Sequence, residues 1–213
     1  MIYEKKIDEM IRRLQSKGIT DSRVLQAMRN VPRHYFVAPG MELQAYDEKA
    51  LPIGFGQTIS HPFTVALMTQ ALMPEQGERI LEIGTGSGYQ AAILCEMGAT
   101  VYSIEKIREL AIRAERRLKQ LGYGYKVLIR IGDGSLGWAG HAPYDAIIFT
   151  AGAPEAPEHL FAQLKERGRL LVPIGNKDEQ VLTLFIKEKE KMIKKEMGKL
   201  RFVPLKGAHG WQQ

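Results

Sequence analysis

Hydrophobic positions along the first thirty residues recur at helical spacing. Ile7, Met10, Ile11 and Leu14 fall on one face of a first helix with Gly18 as its stop, and Val24, Leu25 and Met28 fall on one face of a second. Thr20 or Asp21 can cap the second helix, which must end before Pro32 because a proline pushes the preceding Val31 out of the α region. Residues Arg33 to Gln57 follow without periodicity, interrupted by Pro39, Gly40, Pro52, Gly54 and Gly56. A stretch that long inside a compact chain is usually functional.

Helical spacing resumes from Phe63 to Met73, and from there apolar runs and helical patterns alternate. Strands are predicted at Arg79 to Ile83, Thr100 to Glu105, Val127 to Ile131, Asp145 to Thr150 and Arg169 to Ile174. Helices are predicted near Tyr89 to Met97, Arg108 to Leu121 and Pro157 to Leu164. Such alternation implies an α/β fold with a doubly wound, mostly parallel sheet covered on both faces. The tail departs from it: Gln180 to Ile186 and Met192 to Leu205 read as two strands joined by a charged turn, an antiparallel hairpin at the sheet edge. One domain is expected, with N-terminal helices and a substrate loop over 1–62, a cofactor-binding core over 63–175 and a C-terminal hairpin and tail over 176–213.

The formal net charge of +6 raises nucleic acid as a partner. However, Lys187, Lys189, Lys191, Lys194, Lys195 and Lys199 alternate with Glu188, Glu190 and Glu196, the pattern of a solvated hairpin face, and no basic or aromatic platform is added elsewhere. No nucleic-acid partner is therefore expected. Cys95 is the only cysteine, which excludes an intramolecular disulfide, and no apolar run reaches the ~18 residues of a membrane span. A cytoplasmic monomer without a membrane partner is the expectation. His34, His61, His141, His159 and His209 form no close ligand pair, so no metal site is expected.

Chemistry concentrates after the first long strand. Arg79-Ile80-Leu81-Glu82-Ile83 runs into Gly84-Thr85-Gly86-Ser87-Gly88 and then a helix, which places a glycine-rich turn at the strand's carboxyl end, where open α/β sheets bind ligands. Glycines allow backbone conformations that a Cβ forbids and let a ligand approach main-chain N–H groups closely. Roughly twenty residues on, Glu105 ends the second strand of the alternation, where a carboxylate can accept hydrogen bonds from both ribose hydroxyls of a nucleoside. A nicotinamide dinucleotide would suit these features too, but its fingerprint is G-x-G-x-x-G. Here the glycines alternate, and Glu82 sits two residues ahead of them. A carboxylate there suits the cationic amino-acid end of S-adenosyl-L-methionine, directly or through water, and would repel a pyrophosphate.

The stretch LEIGTGSGYQ resembles the first motif of the class I S-adenosylmethionine-dependent methyltransferases, and Gly132-Asp133-Gly134 after the third strand resembles their adenine-side contact. The resemblance implies a cofactor site of Glu82, Gly84, Thr85, Gly86, Ser87, Gly88, Glu105, Asp133 and Gly134. Read alone, Asp133 is equally an Asx-turn residue capping a loop.

The acceptor is suggested elsewhere. Val31-Pro32-Arg33-His34-Tyr35-Phe36-Val37, Ala45-Tyr46, Leu51 to Ser60 and Arg201-Phe202-Val203-Pro204-Leu205 together resemble the protein-L-isoaspartate O-methyltransferase family over most of the chain. That resemblance implies methylation of L-isoaspartyl residues in damaged proteins, with Ser60 at the active centre and Thr58, Ser60 and Val203 holding the isoaspartyl segment. His61 departs from the family, where glutamine is common in bacterial and archaeal members. On local grounds Ser60 is also an expected helix N-cap, with His61 a polar first-turn residue and Pro62 in the first turn.

Overall fold

The computed structural model describes residues 2–189 and 191–211. Glu190, counted above in the charged turn, lies outside them. Helix α1 (Ile2–Ser16) buries Met10, Ile11 and Leu14, and α2 (Ser22–Asn30) is capped by Asp21, whose side chain accepts from the Arg23 amide. Of the two candidate caps, the aspartate takes the position.

The stretch without periodicity is more ordered than its sequence suggests. It holds two 3₁₀ turns, Arg33–Phe36 and Glu42–Gln44, and then a hairpin of β1 (Leu51–Gly54) and β2 (Gln57–Ile59). Phe55 and Gly56 turn it with φ of 54° and 67°. Four- and three-residue strands carry too little alternation to be read, and Pro52 argues against a strand except at an edge, which is where this one lies.

Helix α3 (Pro62–Leu72) leads into β3 (Arg79–Ile83), α4 (Tyr89–Glu96), β4 (Thr100–Glu105), α5 (Arg108–Gln120), β5 (Val127–Ile131), β6 (Tyr144–Phe149), β7 (Leu164–Gly175), β8 (Gln180–Glu188) and β9 (Lys191–Leu200). The main sheet runs β5-β4-β3-β6-β7-β8-β9, parallel from β5 through β7 and antiparallel at β8 and β9. The chain winds outward in one direction from β3 to β5 and in the other from β6, so the strand order reverses beside β3. A crevice opens there at the carboxyl ends of the strands.

Two expectations are corrected. Pro157 to Leu164 is not an α-helix: after Pro154 and Pro157 only a 3₁₀ stretch, Glu158–Gln163, fits before Leu164 pairs with Tyr144 in the sheet. The last strand does not reach Leu205. It ends at Leu200, and beyond it only Pro204 bridges, in parallel, to Gly152.

Tyr89 through Cys95 of α4 are all buried, because the N-terminal helices cover the face that a helix on such a sheet would expose to water. That covering carries the 33–60 segment to the mouth of the crevice. Phe36 packs edge-on against Tyr89 with ring centroids 5.3 Å apart.

Candidate active site

The crevice is a cleft between the glycine-rich turn, the β1–β2 hairpin and residues 203–206. Gly84 follows β3 at φ 99°, and a Cβ there would stand 2.5 Å from Thr150 Oγ1, so backbone and threonine meet where no side chain fits. Gly86 takes φ 53° and lines the cleft, while Gly88, at φ 87°, begins α4. Thr85 and Ser87 are buried within the turn.

Glu105 ends β4 beneath this turn. Its Oε2 accepts from the Gly86 amide at 2.8 Å and its Oε1 from the Ile107 amide at 2.9 Å. Each carboxylate oxygen can accept more than one bond, so the side chain can hold the turn in place and still receive hydroxyls from the cleft it lines.

Three expected cofactor residues do not line the cleft: Gly88, which starts α4, Glu82 and Asp133. Glu82 is fully buried and bonds to Ser103 Oγ, which bonds in turn to Thr85 Oγ1 at 2.5 Å, so it supports the turn from below. Alternation along β3 explains the placement, since neighbouring side chains take opposite faces of the sheet. Asp133 is also off the cleft wall, which its neighbour Gly134 reaches instead. Its Oδ1 accepts from the Ser135 amide (2.9 Å) and hydroxyl (2.6 Å), and its Oδ2 from the Ala208 amide at 2.7 Å. The Asx-turn geometry describes it, and it also fastens the chain beyond the cleft wall.

Burial pushes the Glu82 carboxyl up to about 8, against the opposing bond from Ser103 and with the nearby Glu105 charge adding to the rise. The folded protein therefore holds a proton that the unfolded chain, titrating near ~4.3, releases. Its contribution to stability is whole below that lower value and is lost as pH rises through 8. Glu82→Gln, neutral and of the same shape, is expected to melt close to the parent at pH 4, above it at pH 6 and further above it at pH 9. Parallel melting curves at all three pH values would refute a protonated Glu82.

Across the cleft lie Thr58, Ser60 and Val203. Among the described residues the Ser60 hydroxyl has no hydrogen-bond partner, and the N-cap expected of it belongs to His61. His61 Nδ1 accepts from the Phe63 amide at 3.0 Å, and burial lowers its pKa. His61 is thus committed to the helix as an unprotonated acceptor, and the serine is left for the cleft.

Sequence reasoning missed Arg33 and Thr150. Thr150 follows β6 beside the switch point, so topology could have flagged it. Arg33 gives no such signal: it is fully buried, with Nε donating to Ala45 O and Nη2 to Ser60 O, both at 2.6 Å, and its guanidinium lies 4.8 Å from the Tyr89 ring centroid.

A glycine turn at the switch point, an acid at the end of the neighbouring strand and a cleft in which the described residues place no acid–base pair define a class I S-adenosylmethionine-dependent methyltransferase. The residues suit that cofactor: Gly84 and Gly86 present bare backbone to the cleft, and Glu105 stands where ribose hydroxyls need an acceptor. The profile of the protein-L-isoaspartate(D-aspartate) O-methyltransferases matches residues 5–210, and the chain belongs to that family.

Among its relatives is a protein-L-isoaspartate O-methyltransferase of Dictyoglomus thermophilum, 47% identical over 99% of this chain and 95% of the relative. The Syntrophobacter fumaroxidans enzyme numbered 1 is 50% identical over 99% and 98%. A solved protein-L-isoaspartate O-methyltransferase superposes with a TM-score of 0.85 at 31% identity, covering 96% of this chain and 67% of that one. A Plasmodium falciparum beta-aspartate methyltransferase, solved with S-adenosyl-L-homocysteine, gives 0.81 at 26%, covering 93% and 97%. Among the described residues no helix is long and apolar enough to cross a membrane.

The turn supplies a test. Gly86 occupies a left-handed conformation that costs a residue with a Cβ about 1–2 kcal/mol, and more if β-branched. A Cβ there meets nothing closer than Ile53 Cδ1 at 3.6 Å, so the fold should survive. Gly86→Val is expected to weaken S-adenosylmethionine binding roughly tenfold or more by displacing the amide that Glu105 holds. Calorimetry showing unchanged affinity would place the cofactor elsewhere.

Proposed function

We propose that this cleft transfers a methyl group to the free α-carboxylate of L-isoaspartyl residues in damaged proteins, with Ser60 orienting the acceptor and Thr58 and Val203 holding the flanking peptide. The observation that carries the residue roles is the uncommitted Ser60 hydroxyl, facing a cleft whose opposite wall is the glycine turn. S-adenosylmethionine, when bound, supplies an activated methyl on a sulfonium that leaves as a neutral thioether. The acceptor needs no activation, because a carboxylate with a pKa near ~4 is already ionised at neutral pH. A general base is unnecessary, which agrees with a cleft whose nearest histidine, His61, is spent on capping a helix.

What remains for the chain to do is alignment. Holding reacting atoms in line can contribute ~7 to 11 kcal/mol, and charge is annihilated as the methyl moves, so a cleft shielded from water favours the transfer. Ser60 acts as a donor to one acceptor oxygen and leaves the other toward the methyl. It is not a nucleophile. The glycine turn, Thr85, Ser87, Glu105 and Gly134 hold the cofactor, with Glu82 and Asp133 fixing the walls behind them.

Incubation with tritiated-methyl S-adenosylmethionine tests this reading. Aged protein is expected to take up base-labile methyl ester counts, and freshly made protein far fewer. Label on RNA, or base-stable label on protein, would overturn it.

A further inference from the structure

Arg33 is fully buried, yet among the described residues no carboxylate pairs with it, its Nη1 has no hydrogen-bond partner, and the Tyr89 ring, 4.8 Å from the guanidinium, offers only the modest attraction of an aromatic face. Neutral donors would serve its two carbonyl bonds equally well. Burying a charge without a counter-ion is costly, and burial disfavours the cation here. The charge therefore needs a reason that the clamp does not give. Both groups Arg33 grips or covers on the cleft side, Ser60 and Tyr89, line the cleft. Of the cleft's own charged residues, Glu105 is an acid bonded to the turn, Lys106 is an exposed neighbour of it on the far wall, and Lys206 is an exposed side chain at the end of the 203–206 wall, whereas Arg33 is buried directly behind Ser60.

We propose that Arg33 supplies the counter-charge for the methyl-acceptor carboxylate, so that the cleft holds the anionic substrate and releases the neutral ester it becomes. The inference rests on the placement of the acceptor at Ser60 argued above. Methyl transfer forms an O–CH₃ bond and breaks an S–CH₃ bond, turning a carboxylate of charge −1 into an uncharged ester. The attraction to a fixed cation behind Ser60 is present before that step and gone after it. Across a protein wall of effective dielectric ~20, such an attraction is strong enough to change affinity by roughly tenfold. Arg33 is a positioning residue: it reaches the acceptor through Ser60 and never touches the reacting atoms.

The test is calorimetry on the enzyme saturated with S-adenosylhomocysteine, which cannot turn over. An isoaspartyl peptide is compared with the same peptide carrying its α-carboxylate as the methyl ester and as the primary amide. The acid is expected to bind at least roughly tenfold tighter than either neutral form. In Arg33→Gln, which keeps an amide donor for the carbonyls, the acid should fall to the level of the ester and the ester should bind as before. Arg33→Lys should retain most of the preference. Equal affinities for acid, ester and amide in the parent protein overturn the inference whether or not the variants fold, as does a preference that survives in Arg33→Gln or an equal loss for all three peptides. Failure of the underlying reading is separate and visible: the parent would then not methylate the isoaspartyl peptide at all.

Discussion

An isoaspartyl peptide is expected to be methylated at least roughly a hundred times more efficiently, by kcat/KM, than its aspartyl twin of identical sequence. The two carry the same carboxylate chemistry, so reactivity cannot separate them. In isoaspartate the main chain passes through the side-chain carbonyl, which adds one methylene to the backbone and leaves the α-carboxylate as the free acid. Backbone near Thr58 on β2 and near Val203 beyond β9 stands on the same cleft as Ser60. A peptide held extended by those segments brings only the displaced carboxylate to Ser60, and misplacement by ~1 Å can cost ~100-fold. Comparable rates for the two peptides would refute the assignment of these walls to the substrate.

Ser60→Ala is expected to lower turnover roughly 10- to 100-fold, through lost alignment, while S-adenosylmethionine binds within a few-fold of the parent. The structure sharpens this test. Because His61 and not Ser60 caps α3, removing the hydroxyl uncaps nothing, and the melting temperature should be unchanged. A variant that keeps its turnover but melts lower would show the hydroxyl to be structural. The matching control is His61→Ala, which removes the cap and is expected to lower stability by about 1 kcal/mol, the usual cost of a lost N-cap acceptor.

The wound core was legible because period and punctuation agree there. From β3 to β7 apolar runs alternate with helical patterns, and Gly84, Gly86 and Gly88 mark a turn in which three alternate residues take positive φ. Legibility failed where function depends on contacts distant in sequence. Arg33 lies on a 3₁₀ turn with no pattern to predict its burial, and only the folded chain shows it reaching Ala45 and Ser60. Ser60 and His61 are both acceptable caps by residue type, and which one caps is settled by backbone direction at the hairpin's end. Glu82 and Asp133 sit at motif positions, but a motif fixes sequence spacing and leaves open which side of a wall a carboxylate faces. The β1–β2 hairpin was hidden by its brevity.

The segment that closes the cleft has a consequence for how the molecule assembles. Residues 203–206 are not part of a strand, and they join the sheet through the Gly152–Pro204 bridge and the Leu205–Gly152 amide bond, with Ala208 fastened to Asp133 just beyond. Their partners lie fifty to seventy-five positions earlier in the chain, and contacts that span such separations form late because the intervening loop must be closed first. During refolding, secondary structure should therefore return before methyl-transfer competence does, and mild denaturant should silence the enzyme while its wound sheet is still intact.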